Sequence, residues 1–157
     1  VAPSDHLLRT LAAIPPGVRV VDPACGTGRH LDPLARLGFD VWGSAADEDD
    51  VEAARQRLSE TLGPDEATRR VTRGNPGALG YPDAWADWVV LAGTGDLGGA
   101  LVEAARVLKP GAWAWVETDD ADGLEETAGA VGLVPAEAPA EEDGVTHAIF
   151  RRPGDVG

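Results

Sequence analysis

A chain of 157 residues, 43% hydrophobic and 25% charged, is long enough to bury one sizeable core, and it contains no apolar run near the roughly 20 residues of a membrane span. Thirteen Lys and Arg against 27 Asp and Glu give a net charge of -14, which repels polyanions and argues against nucleic acid as a substrate. One cysteine leaves no internal disulfide and no signal-peptide pattern precedes the first helix, so a cytoplasmic protein is expected.

The first predicted element is a helix from His6 to Ile14, with Leu7, Leu8, Leu11 and Ile14 at helical spacing, Ser4 or Asp5 as cap and Pro15-Pro16-Gly17 as stop. Val18 to Val21 is a short β-branched run of the kind a buried parallel strand needs, leading into Asp22-Pro-Ala-Cys-Gly-Thr-Gly28. Leu31, Leu34, Ala35 and Leu37 predict a helix ending at Gly38, with Pro33 tolerated in its first turn. Phe39 to Gly43 reads as a strand. Asp47 then caps a helix whose first turn holds Glu48, Asp49 and Asp50, and whose buried stripe is Val51, Ala54 and Leu58. Ala67 to Thr72 and Trp88 to Leu91 are the next strand candidates. Leu101, Ala104, Ala105 and Leu108 mark a helix stopped by Lys109-Pro110-Gly111, and Ala112 to Glu117 a strand with Trp113 and Trp115 on one face. A last helix around Leu124, Ala128 and Val131 precedes two closing strands, Leu133 to Ala138 and Val145 to Arg151. Strands alternating with helices argue for an α/β sheet with an antiparallel hairpin at one edge, and ligands of such sheets lie beyond the carboxyl ends of the strands.

Gly26 and Gly28 allow a sharp strand-to-helix turn and close approach of a ligand to the backbone. A dinucleotide fingerprint needs a third glycine where Leu31 stands, and no Gly-Lys-Ser/Thr phosphate loop occurs. What remains is a nucleoside loop without a pyrophosphate contact. Asp22 at its entrance suits a cationic or hydroxyl-bearing ligand.

The run Val21-Asp-Pro-Ala-Cys-Gly-Thr-Gly-Arg-His30 resembles the first motif of class I S-adenosylmethionine-dependent methyltransferases of the small-molecule type. The resemblance continues in register through Leu34 to Gly43, Ala54-Arg55, Leu79 to Asp83, Asp87 to Val90 and Ala105-Arg-Val-Leu-Lys-Pro-Gly111. It implies a Rossmann-like, doubly wound sheet of about seven mostly parallel strands. It also implies a single domain over the whole chain, with residues 1–17 as a lid helix and 18–152 as the core. The cofactor implied is S-adenosylmethionine, and the partner a small-molecule acceptor rather than nucleic acid or membrane. Carried over position by position, the cofactor would meet Asp22, Pro23, Ala24, Cys25, Gly26 and Gly28, then Ala45 and Asp47, Asn75 and Pro76, and Leu91.

Two positions depart from the family pattern. The acidic residue expected to take the ribose hydroxyls falls at Ala45, which has no oxygen to offer; Asp47 is either its substitute or simply a helix cap. The aspartate expected to accept from the adenine amino group is Asn75, whose uncharged amide oxygen accepts more weakly. Leu91 to Gly99 is short and rich in glycine, so substrate recognition there is thinly furnished. Methyl transfer from a sulfonium needs mainly alignment, so no catalytic triad is required. If the acceptor must lose a proton, His30 and His6 are candidate bases by residue type, with His147 behind them, though each also suits a plain packing or polar role. Cys25 is expected to pack rather than react, and Asp47 to Asp50 lack the spacing of a calcium loop, so no metal site is expected. The expected function is methyl transfer to a small molecule. The alternative is a degenerate member acting as a binding or regulatory module.

Overall fold

Ser4 opens the first helix as its capping chemistry dictates: its Oγ accepts the Leu7 N–H at 3.3 Å, and α1 (Asp5–Ala12) buries Leu7 and Leu11 completely. The computed structural model describes residues 2–154, and the chain divides between Asn75 and Pro76 into two compact units.

In the first unit β1 (Arg19–Asp22) is followed by α2 (Leu31–Arg36), β2 (Asp40–Ala45), α3 (Glu48–Leu62), α4 (Pro64–Arg70) and β3 (Val71–Arg73). The strands run parallel in the order β3-β2-β1, with Asp22 beside Gly43 and Ala45 beside Arg73. All three carboxyl ends therefore point the same way. Val20, Val21 and Val41 are fully buried in the sheet, and Leu31, Leu34, Ala54 and Leu58 bury the inner faces of α2 and α3. At the opposite strand ends Asp40 is gripped by Arg19 and Trp42, each at 3.0 Å, and by Arg70. The guanidinium carbons of Arg69 and Arg70 each lie 5.0 Å from the centre of a Trp42 ring. Burial alone would push the Asp40 carboxyl up, but these three donors hold it below the ordinary carboxylate range. The stability this lends is present above the unfolded carboxylate pKa and is lost as pH falls through the depressed folded value. Asp40→Asn is accordingly expected to cost about 1–2 kcal/mol at pH 7, and urea unfolding of the two proteins should converge toward acid.

The second unit contains β4 (Ala86–Ala92), α5 (Leu97–Val107), β5 (Leu108–Thr118), α6 (Leu124–Ala130), β6 (Val134–Pro135), β7 (Ala140–Glu142) and β8 (Val145–Arg151). β4 and β5 are parallel, whereas β8 lies antiparallel to β5 and in turn takes β6 and β7 antiparallel. Val89, Val90, Leu91, Ala114, Trp115 and Val116 are wholly buried, and α5 adds Leu101, Ala104 and Val107. Arg106 fastens the segment before β4, donating to the carbonyls of Leu79 and Tyr81 and to the carboxylates of Glu103 and Asp83.

Most predicted elements lie close to their observed bounds, and the exceptions trace to a local signal overlooked or to a strand partner distant in the chain. The strand predicted over Ala67 to Thr72 is mostly helix: Gly63 at φ +85° ends α3, and Pro64 at the first position of α4, followed by Asp65 and Glu66, starts a new one. Leu108 belongs to a strand rather than to the preceding helix, because β5 begins at the predicted stop signal. Its register against β4 shifts between Leu108 and Trp113, around Gly111 at φ +84°. β7 was not predicted. Asp143 and Gly144, both at positive φ, make the two-residue turn that joins it to β8, and this Asp-Gly pair was the missed signal.

Candidate functional site

The first unit brings to one edge of its sheet most of the residues singled out by the sequence. Asp22 is the last residue of β1 and only 1% exposed; its Oδ1 has no hydrogen-bond partner among the described residues. Burial pushes its carboxyl up to about 7, opposed by the Ala24 backbone N–H and by the charge of Arg29. A carboxyl this dry with an unmet oxygen has the chemistry to take a cation or a hydrogen-bond donor.

The loop beyond it is held from both sides. Cys25 N donates to the Ser44 carbonyl at 3.0 Å, Ser44 Oγ donates to the Pro23 carbonyl at 3.3 Å, and Gly28 N closes a turn onto the Cys25 carbonyl at 2.9 Å. Gly26 and Gly28 take φ of +54° and +88°. A Cβ on Gly26 would meet nothing within 4 Å, while one on Gly28 would lie 3.2 Å from Cα and Cβ of Ala54 on α3. The first glycine therefore keeps space open above the loop, and the second admits the helix below it. Cys25 is 4% exposed, and burial, with the charges of Asp22 and Asp50, pushes its thiol far up, as suits a packing residue.

His30 is 1% exposed at the start of α2, and its Nε2 accepts the Ser4 N–H at 3.1 Å; Arg29 donates to the Ala2 carbonyl at 3.3 Å. These two bonds hook the start of α1 onto the loop. His6 sits half buried in the first turn of α1.

Ala45 ends β2 at 3% exposure, and its carbonyl accepts the Gly74 N–H at 3.0 Å. Asp47 is exposed and caps α3, its Oδ1 accepting the Asp49 N–H at 2.8 Å. Asn75 is exposed just past β3. Asp22, Pro23, Ala24, Cys25, Gly26, Gly28, Ala45, Asp47 and Asn75 thus gather near the carboxyl ends of three adjacent parallel strands. Pro76 and Leu91 belong to the second unit, where Leu91 is an entirely buried residue of β4. Sequence reasoning missed a pair in that unit: His147 Nε2 lies 3.1 Å from Glu117 Oε2, and the imidazole stacks on Trp115 with centroids 5.5 Å apart. Glu117 stands at the carboxyl end of a strand, which was the available signal.

Strands in parallel, a glycine loop after the first and antiparallel strands at the edge define a Rossmann-like α/β protein. A family model described as "Methyltransferase domain" matches residues 20–111, more than half of the chain, and the chain belongs to that family. A solved protein from Pyrococcus horikoshii OT3 superposes with a TM-score of 0.76 at 19% identity, covering 94% of this chain and 88% of its own. A TehB-like SAM-dependent methyltransferase from Corynebacterium glutamicum gives a TM-score of 0.72 at 23% identity, covering 94% and 95%. Both share the fold. A ubiquinone biosynthesis O-methyltransferase of Mesorhizobium japonicum is 41% identical over 44 residues, a match spanning 28% of this chain and 18% of that protein's length. The family implies S-adenosylmethionine as methyl donor. Among the described residues no helix is long and apolar enough to cross a membrane.

Proposed function

We propose that this chain binds S-adenosylmethionine near the carboxyl ends of β1, β2 and β3 and serves methyl transfer to a small-molecule acceptor. The observation that carries the reading is Asp22: a buried carboxylate with an unmet oxygen at the mouth of a glycine loop fits the ammonium of the cofactor's amino-acid end. Open space over Gly26 fits the approach of the same ligand to the main chain. At the ribose end the fit is poorer, since Ala45 offers no oxygen and the carboxylate of Asp47 is engaged as a cap.

When bound, the cofactor supplies an electrophilic methyl group on a sulfonium. The chain's own contribution is placement. Asp22 holds the cation, the loop bonds through Ser44 fix the backbone, and Asn75 offers an amide oxygen to an amino group. His30, whose Nε2 lone pair is taken by the Ser4 N–H, serves here to position the loop, and His6 is left as the candidate base on α1.

Calorimetric titration with S-adenosylhomocysteine, with a nicotinamide dinucleotide as control, tests the reading. Micromolar binding of the first and none of the second is expected, and no binding of the first would overturn it. Ala45→Asp is expected to tighten S-adenosylhomocysteine about tenfold by restoring a charged acceptor for the ribose hydroxyls. Unchanged affinity in the folded variant would mean that the ribose lies elsewhere.

A further inference from the structure

The second unit carries its own concavity, a cavity of about 390 Å³ beyond the carboxyl ends of β4 and β5. Its wall includes Thr94, Glu117, Thr118, Asp119 and Val145, so two acidic residues and no basic one line it. The charge around it is equally one-sided. From Pro110 to Phe150 the sequence has ten Asp and Glu, no Lys or Arg, and one His. Arg106 and Lys109, just before that stretch, are engaged with Glu103 and Asp83 and with Asp87. A cleft walled by one sign of charge concentrates the opposite ion.

Two further features separate this cavity from a merely acidic surface. Glu117 is only 17% exposed and is fixed from behind, its Oε2 held by His147 Nε2 at 3.1 Å, with His147 itself packed on fully buried Trp115. Thr94 brings a hydroxyl that is buried without a partner among the described residues, a polar group left unmet at the wall.

From this we infer that the cavity binds a small organic cation, a protonated amine whose N–H groups meet Glu117 and Asp119. Glu117 makes the contact, and His147 is a positioning residue that fixes its carboxylate. As the place where an acceptor is held, the inference rests on the methyltransferase reading; as a cation site, it stands on the cavity alone.

Three probes of one shape, benzylamine, benzyl alcohol and benzoate, test this by their effects on the backbone amide NMR signals of the ¹⁵N-labelled protein. Benzylamine is expected to shift the amides of Thr94 and Thr118 saturably, benzyl alcohol more weakly, and benzoate not at all. Loss of a charge-assisted contact in Glu117→Gln should weaken benzylamine about tenfold, and Asp119→Asn, at an exposed position, should weaken it too. The double variant E141Q/E142Q removes charge outside the cavity wall and should leave the affinity within about twofold. Equal shifts with benzoate, no shift with benzylamine, or equal weakening in E141Q/E142Q would overturn the inference. S-adenosylhomocysteine added to the same sample separates the two readings: if it fails to bind while benzylamine binds, the cofactor proposal falls and the cation site stands.

Discussion

Asp22→Asn is expected to make the protein more stable at pH 8 and to abolish its binding of S-adenosylhomocysteine. The carboxyl is held at about 7 in the folded chain against 3.8 as a free side chain, chiefly by burial. Between those values the folded state binds more protons than the unfolded one, so stability is full below the unfolded value and falls as pH rises through 7. The shift corresponds to about 4 kcal/mol lost across that window, before any relaxation of the loop. Asparagine has the same shape and no charge, so its unfolding free energy should be nearly flat over the same range and higher than wild type at pH 8. Binding should change in the opposite direction. A ligand ammonium favours the ionised carboxylate, so wild-type affinity should climb with pH to about 7 and then level off, whereas the amide offers the cation no charge. Urea unfolding and calorimetry at pH 5 and 8 read both effects. A destabilised variant at pH 8, or one that keeps wild-type affinity, would show that Asp22 is a structural acid.

Substitution at the loop glycines should separate folding from binding. Gly28→Val forces a branched side chain into φ +88° and drives its Cβ to 3.2 Å from the backbone of α3. Left-handed strain and overpacking together should cost about 2–5 kcal/mol. For a chain of this size that lowers the melting temperature by roughly 5–15 °C. Gly26→Ala meets open space, so it should lose only about 1 kcal/mol to its positive φ. Because its new methyl points into that space, it should weaken S-adenosylhomocysteine far more than it weakens the fold. Thermal unfolding and titration of both variants check the contrast. Equal stability losses at the two positions would mean that the loop has no open side.

How much of this was legible in the sequence depends on whether the signal was local. The turn after β1 was readable because Gly26 and Gly28 meet a backbone requirement that only glycine satisfies cheaply. Ser4 and Asp47 were readable as caps because a cap is a contact with residues two or three positions on. The helical face of Val51, Ala54 and Leu58 was readable from its spacing. What failed was either a local signal overlooked, as with Gly63-Pro64 and Asp143-Gly144, or a pairing set by distant chain. Leu108 joined a strand because β4 offered it a partner at Ala86. Glu117 and His147, thirty residues apart, met only through the antiparallel register of β5 and β8. The candidate site divides the same way. Asp22 was singled out from its motif, but its dryness and unmet oxygen are properties of the packed loop, and the bond by which His30 Nε2 accepts the Ser4 N–H joins residues 26 positions apart.

Cys25 is the only thiol in the chain, buried beneath the loop with a proton it does not readily give up. Maleimides and mild oxidants react with thiolates, so the native chain is close to inert toward them. A cysteine placed at an exposed position such as Asp119 would be the sole reactive handle. A fluorophore or spin label could then report from the rim of the second unit's cavity without any native residue being removed first.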